Sequence, residues 1–183
     1  MSTIDAEICV RSMTIMGSGD LADLDRVVHP QATNREAKDE PPACRGRGPA
    51  AFAATAQWLR SAFADLAFDI HDAVTDGDLT VVHCTMSGRQ VGAFVAYDEH
   101  GAVAQAFPSK GRPFAVTQTH WFRMKDGQVV EHWANRDDMG LARQLGWVPP
   151  TPAFLLRMAQ ATRQARRAAA NAEPVQTASP LTR

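Results

Sequence analysis

The sequence carries almost no net charge: 19 Lys and Arg against 20 Asp and Glu leave a formal −1 at pH 7. A chain this balanced has no basic field to draw in a phosphate backbone, so no nucleic-acid partner is expected. Long apolar runs are also missing, and none approaches the ~20 residues that a membrane-spanning helix requires. The N-terminus lacks the basic-then-apolar build of a signal peptide, so the expectation is a cytoplasmic protein with no membrane partner. Cysteine is scarce. Cys9, Cys44 and Cys84 are widely spaced and form no CxxC pair, which reads as free thiols in a reducing compartment. The histidines form neither HxxxH nor HxH, so a metal site made from His120, His132 and Asp138 has no spacing behind it. Internal repeats are absent.

What is present is an ordinary globular composition. With 183 residues, 45% of them hydrophobic and 21% charged, the chain suits one domain with a sizeable core plus an appendage. The charge is unevenly spread: residues 151–183 hold five Arg and one Glu, a balance of +4, while residues 1–150 carry −5. That asymmetry predicts a body over residues 1–150 and a basic helical extension with a disordered tail over residues 151–183.

Periodicity assigns the elements. Ile4, Ile8, Ile15 and Met16 recur at helical spacing over residues 3–17, and Gly17-Ser18-Gly19 ends that helix. Asp20 then caps a second helix carrying Leu21, Leu24, Val27 and Val28, closed by His29-Pro30. Residues 31–47 are polar and rich in Pro, and read as an irregular loop; Asn34, Arg35 and Glu36 open it, as a solvated turn or as a pocket rim. Pro49 suits the first turn of a third helix, which carries Phe52, Trp58, Leu59 and Phe63. From Leu66 the period becomes two, through Asp76-Gly77-Asp78, and places Val82, Cys84 and Met86 on one face with Val81, His83 and Thr85 on the other. His71 and His83 read as structural or solvent-facing. Residues 91–97 continue as strand, and residues 98–113 read as a long exposed loop. Residues 152–172 form an Ala- and Arg-rich helix whose short apolar stripe predicts weak, dispensable packing. Three helices followed by antiparallel strands make an α+β domain, with helices gathered on one side of a curved sheet.

The chain is organised around Ala115–Gly146. Thr, Val, Trp and Phe fill two arms about Asp126-Gly127, a strong hairpin signal, and a short helix follows. Turn length decides which side chains share a face. A two-residue turn sets His120 opposite Trp133. A three-residue turn (Lys125, Asp126, Gly127) sets His120 opposite His132, and gathers Gln118, His120, Phe122, Val130, His132 and Ala134 on one face. The second register is preferred because it assembles imidazole, amide and apolar groups as a small-molecule pocket requires. Asp137 and Asp138 can cap the helix Met139–Leu145, a duty that needs only one of them. Strand parity puts Asp138 at the pocket.

Two segments carry a resemblance. GPAAFAATAQWLRSAFADLAFDIHDAVTDGDLTVV and THWFRMKDGQVVEHWANRDDMGLARQLG are similar to the SnoaL-like polyketide cyclases, or ester cyclases, of the superfamily shaped like nuclear transport factor two, over about Asp5 to Gly146. The resemblance implies a cone-shaped α+β barrel enclosing an apolar pocket. It also implies an intramolecular aldol cyclisation of an aromatic polyketide ester with no metal or organic cofactor, an aspartate acting as general acid/base beside a histidine on the preceding strand. On this chain the histidine is His120, and the aspartate's place, directly after the EHW tripeptide, is held by Ala134. The chain also has Arg89-Gln90 where many members carry Thr-His.

These readings converge on a cofactor-independent cyclase acting on a hydrophobic carbonyl compound. His120, His132, Asp138 and Asp137 are the candidate catalytic groups; Asn34, Gln118, Phe122, Ala134 and Trp58 are the candidate substrate contacts. An epoxide hydrolase built around Arg136 ranks below it, because neighbouring strand residues point to opposite faces. A non-catalytic ligand-binding or dimerisation module is the other alternative, favoured by Ala134. If the histidines face inward, Trp121 and Trp133 face outward, which predicts a homodimer through the outer face of the sheet.

Overall fold

A computed structural model describes residues 3–172. Helix α1 (Thr3–Gly17) leads through a 3-10 turn (Leu21–Asp23) and a single turn α2 (Leu24–Val27) into strand β1 (Val28–Asn34). Helix α3 (Gly48–Ala62) follows, then β2 (Phe63–Asp76), β3 (Leu79–Gln90), β4 (Phe94–Tyr97), β5 (Val103–Phe107), β6 (Pro113–Lys125), β7 (Gln128–Arg136), α4 (Asp138–Leu145) and α5 (Pro152–Asn171). Five strands form a curved sheet in the order β1-β7-β6-β3-β2, and β4-β5 make a separate ribbon. Every pair in the large sheet is antiparallel except β1 with β7.

Alternation along β6 decides the inner face: Phe114, Val116, Gln118, His120, Phe122 and Met124 are buried, and their neighbours are not. The same parity in β3 buries Val82, Cys84 and Met86. Helices α1 and α3 cover this face and complete the core, with Cys9 and Met13 against Val82, Phe122 and Val129, and Ile15 and Phe52 against Val28 and Ala32. Arg60 of α3 locks the two helices together. Its guanidinium donates to the carbonyls of Ile15, Met16 (3.2 Å) and Gly19 (2.9 Å) at the C-terminal end of α1, where a cation complements the helix dipole. The start of α3 presses so closely on β1 that a Cβ on Gly48 (φ +74°) would meet the Pro30 carbonyl oxygen at 2.6 Å. Only glycine fits there.

Several features differ from the sequence expectation. The second helix is a single turn, and residues 28–34 are strand rather than helix end and loop, because β1 lies at the sheet edge, where Pro30 is tolerated. The strand after residue 90 breaks, since Val91 and Gly92 turn back to bond the Ala62 carbonyl; the exposed loop expected over 98–113 contains β5. The central turn has two residues, with Asp126 (φ +51°) and Gly127 (φ +72°) both left-handed. A bulge then inserts Val130 between the pairs Arg123↔Glu131 and Met124↔Val129. The bulge restores the parity that the three-residue turn was meant to supply, but His120 sits opposite Ala134 and His132 opposite Phe122, and Val129 rather than Val130 joins the core.

The C-terminal helix is not loosely attached. Phe154 is 1% exposed in the cluster of Phe63, Phe114, Leu145 and Trp147. Farther along, the Thr162 hydroxyl accepts the Ala106 amide at 2.9 Å, and Arg166 donates to the Val103 and Ala104 carbonyls of β5. The expected disordered tail, residues 174–183, lies outside the described residues. No helix among the described residues is long and apolar enough to cross a membrane. Cys9, Cys44 and Cys84 are free and buried, and burial pushes their thiols up, to about 12 for Cys9 and about 11 for the other two.

Candidate active site

A cavity of about 260 Å³ lies between the inner face of the sheet and helices α1 and α3. Its wall is mostly apolar: Met13, Phe52, Leu59, Phe63, Phe68, Met86, Phe94, Phe122 and Trp147. Trp58 lines it too, with the indole N–H given to the Val95 carbonyl at 2.9 Å and the ring against Phe94. Polar groups enter from the β6-β7 pair and from the end of β1 with the segment that follows it, joined by Ser12 of α1, Thr55 of α3 and Asp138 of α4.

The first group is a hydrogen-bonded row. Parallel pairing places Asn34, the last residue of β1, beside His132 of β7. The Asn34 side-chain oxygen meets His132 Nδ1 at 3.0 Å, His132 Nε2 meets His120 Nδ1 at 2.9 Å, and His120 Nε2 meets the Gln118 side-chain oxygen at 2.8 Å. All four residues line the cavity. Both nitrogens of both rings are therefore engaged within the chain.

The polarity of this row follows from its anchor. Asn34 Oδ1 also accepts the Glu36 amide at 3.1 Å, which holds the oxygen, not the nitrogen, toward His132. His132 Nδ1 must then donate, His132 Nε2 accepts from His120 Nδ1–H, and His120 Nε2 is left as an acceptor. With the Gln118 oxygen facing it, two acceptors bracket the rings, and only a third hydrogen, a positive charge shared by the pair, satisfies both. Burial opposes that charge. It lowers His120 to about 4, with Arg136 adding to the effect, and holds His132 well below 6.5, helped by His120 and Arg136. The neutral pair is satisfied once the Gln118 amide makes a half-turn and offers N–H to His120, which exchanges its weak N–H contact with Met86 Sδ at 3.3 Å for the stronger imidazole acceptor.

The rim is charged. Arg136 bridges Glu36 and Asp138, each at 3.5 Å, and all three line the cavity mouth. Asp137 does not reach the cavity. Its carboxylate accepts the Gly140 amide at 2.7 Å and caps α4. Ala134 lies on the cavity wall opposite His120, its amide facing Glu36 Oε1 at 3.3 Å. The Arg89-Gln90 pair is outside: Arg89 meets Asp65 at the surface, and Gln90 is fully buried, accepting the Trp147 indole N–H and donating to the Phe107 carbonyl.

Two carboxyl groups of the cavity lining, Asp39 and Glu40, were not anticipated from the sequence, and Asp39 is exposed. Glu40, in the polar segment before α3, is 3% exposed, lines the cavity, and accepts the Thr55 hydroxyl at 2.5 Å. Burial raises its pKa, against the opposing pull of Thr55 and Arg136. Thr55 offered a faint clue, a hydroxyl on the apolar face of α3 between Phe52 and Leu59. Nothing local marks Glu40 itself.

The model of the SnoaL-like polyketide cyclases matches residues 8–145. The aklanonic acid methyl ester cyclase DnrD of Streptomyces peucetius is 31% identical over 153 residues, which span 83% of this chain and 97% of that protein. The nogalonic acid methyl ester cyclase of Streptomyces nogalater is 27% identical, over 73% of this chain and 91% of its own. Among solved structures, TsrD from Streptomyces laurentii superposes with a TM-score of 0.64 at 28% identity, covering 80% of this chain and 98% of TsrD. With an inner sheet face, a cavity walled mostly by apolar side chains and this extent of similarity, the chain belongs to the SnoaL-like polyketide cyclase family.

Proposed function

We propose that the protein is a polyketide cyclase that closes a ring by intramolecular aldol addition within a hydrophobic polyketide ester. The observation that carries this reading is the row Asn34-His132-His120-Gln118 on the wall of an apolar cavity. An aldol closure develops negative charge on a carbonyl oxygen, and preorganised donors in a dry site stabilise it. With one amide hydrogen given to His120, Gln118 has a second for the substrate oxygen, and the two imidazoles hold Gln118 in place. Phe122, Trp58 and Ala134 shape the space in which the chain folds on itself. At the mouth, Asp138 orients Arg136, while Asp137 fixes α4 behind it. The protein's groups need only move protons while the new C–C bond forms.

The test is incubation with aklanonic acid and nogalonic acid methyl esters, the compounds named for the relatives. Ring closure is an isomerisation, so the product has the mass of the substrate and a shifted chromatographic retention. Gln118→Leu is expected to lower kcat about 100-fold or more, the usual cost of one oxyanion donor. Tight binding without turnover would instead favour the binding-module reading, which Ala134 keeps open. The fitting partner for the outer sheet face is a second copy of the chain, and the three buried thiols suit a reducing cytoplasm.

A further inference from the structure

The aldol reading leaves one duty unassigned: some group must take the proton from carbon. Ala134 has no acid to offer. The histidines are poorly placed for it, because each ring nitrogen already has a partner within 3.0 Å in the row, and a substrate carbon could reach one only by breaking that row. Asp138 is exposed at the rim, and Asp137 is spent on capping α4. Glu36 is paired with Arg136 and Asp39 is exposed, so among the described carboxyls that line the cavity Glu40 is the buried one.

We propose that Glu40 is the catalytic acid/base of this cavity, the group that removes the proton α to the substrate carbonyl and returns it to the new hydroxyl. This rests on the aldol reading of the same site. The segment that carries Glu40 is built for precision. Arg45 donates from two nitrogens to the Glu40 backbone carbonyl at 3.2 and 3.1 Å, and a third bond reaches the Asp98 carbonyl at 2.5 Å, pinning the segment to the loop between β4 and β5. Thr55 then fixes the carboxyl from the opposite side.

The step balances within the site. The Glu40 carboxylate takes the α-hydrogen as a proton, and the C–H electron pair becomes an enolate whose oxygen is held by Gln118. The enolate carbon bonds to the second carbonyl carbon, the π pair of that carbonyl moves to its oxygen, and the alkoxide takes the proton back from Glu40. No oxidant or co-reactant enters. Burial strengthens the carboxylate as a base, while Thr55, Arg136 and the Cys44 thiol stabilise its charge and Glu36 opposes it.

The experiment follows α-hydrogen exchange of a naphthyl-substituted methyl β-keto ester in D₂O by NMR, alongside ring closure of aklanonic acid methyl ester, in wild type and Glu40→Gln. Exchange above the buffer rate is expected in wild type, with a pH limb that follows Glu40. In E40Q the rate should fall at least 100-fold and the limb should vanish, while cooperative thermal unfolding and ester binding are retained. A structural glutamate would not move the limb. Exchange in E40Q within threefold of wild type, or no exchange in wild type, overturns the assignment. If E40Q does not fold, Glu40→Asp carries the test: at least tenfold slower exchange with a displaced limb and intact ester binding supports the role, and unchanged exchange refutes it. Exchange lost in E40Q with no ring closure by wild type would uphold Glu40 and sink the cyclase reading; closure that survives E40Q does the reverse.

Discussion

At the scale of single residues, the cavity holds groups whose protonation pulls stability in opposite directions. His120 and His132 stay neutral when folded because burial disfavours their cations. Below about pH 6.5 the unfolded chain takes up protons that the folded chain refuses, so their contribution is fully present above that pH and is lost as pH falls toward 4. For His120, lowered from 6.5 to about 4, this is on the order of 3 kcal/mol. Glu40 has the opposite sign. Its folded pKa is raised, so its contribution is present below 4.5 and lost as pH rises through the folded value. Urea midpoints at pH 7, 5.5 and 4 should therefore fall with acid, and His120→Gln should flatten the slope; an unaltered slope would mean that the imidazole is charged in the fold. The residue scale is also where the sequence was least complete. His120, His132 and Gln118 could be nominated because a hairpin and its parity are local matters, and Asn34 only as a candidate pocket rim at the start of a polar stretch. Glu40 could not, because its burial depends on a segment folding back between α3 and the β4-β5 loop, which leaves no periodic trace.

At the scale of elements, α5 and the central hairpin teach different lessons. The apolar stripe of α5 is short, and stripe length predicts weak packing. Its energy is instead concentrated in one ring, Phe154, set into the cluster beneath α4, with Lys110 donating to the Gly146 carbonyl and lying 4.1 Å above that ring. Phe154→Ala should cost about 3–5 kcal/mol, as truncating a buried Phe does, and thermal or urea unfolding would measure it. A loss below 1 kcal/mol would restore residues 151–183 to a dispensable extension. In the hairpin, Asp-Gly signalled the two-residue turn that forms, and the preferred three-residue turn was wrong in length. The preferred face was recovered by a bulge at Val130, whose placement depends on packing Val129 into the core and not on the turn residues.

At the scale of the whole molecule, Trp121 and Trp133 stack on the outer sheet face with centroids 6.1 Å apart and planes 6° from parallel. Arg35 lies 4.5 Å above Trp133, held by Glu131, so the patch is partly covered by its own chain and remains half open. A two-fold dimer through this face is the expected outcome of light scattering at micromolar concentration, and the double substitution Trp121→Ala/Trp133→Ala should yield a monomer. A wild-type monomer would end that proposal. The sequence by itself determined the α+β class and the family, because alternation and family motifs are written in neighbouring residues; the inward face of the hairpin was named from the wrong turn length, and the bulge at Val130 set it. Only the tertiary structure decided that β1 runs parallel to β7 and brings Asn34 to His132. It also decided that Ala134 faces His120 and that a buried glutamate shares the cavity. Those facts depend on contacts between residues as far apart as 34 and 132, or 40 and 55, where one-dimensional periodicity carries no information.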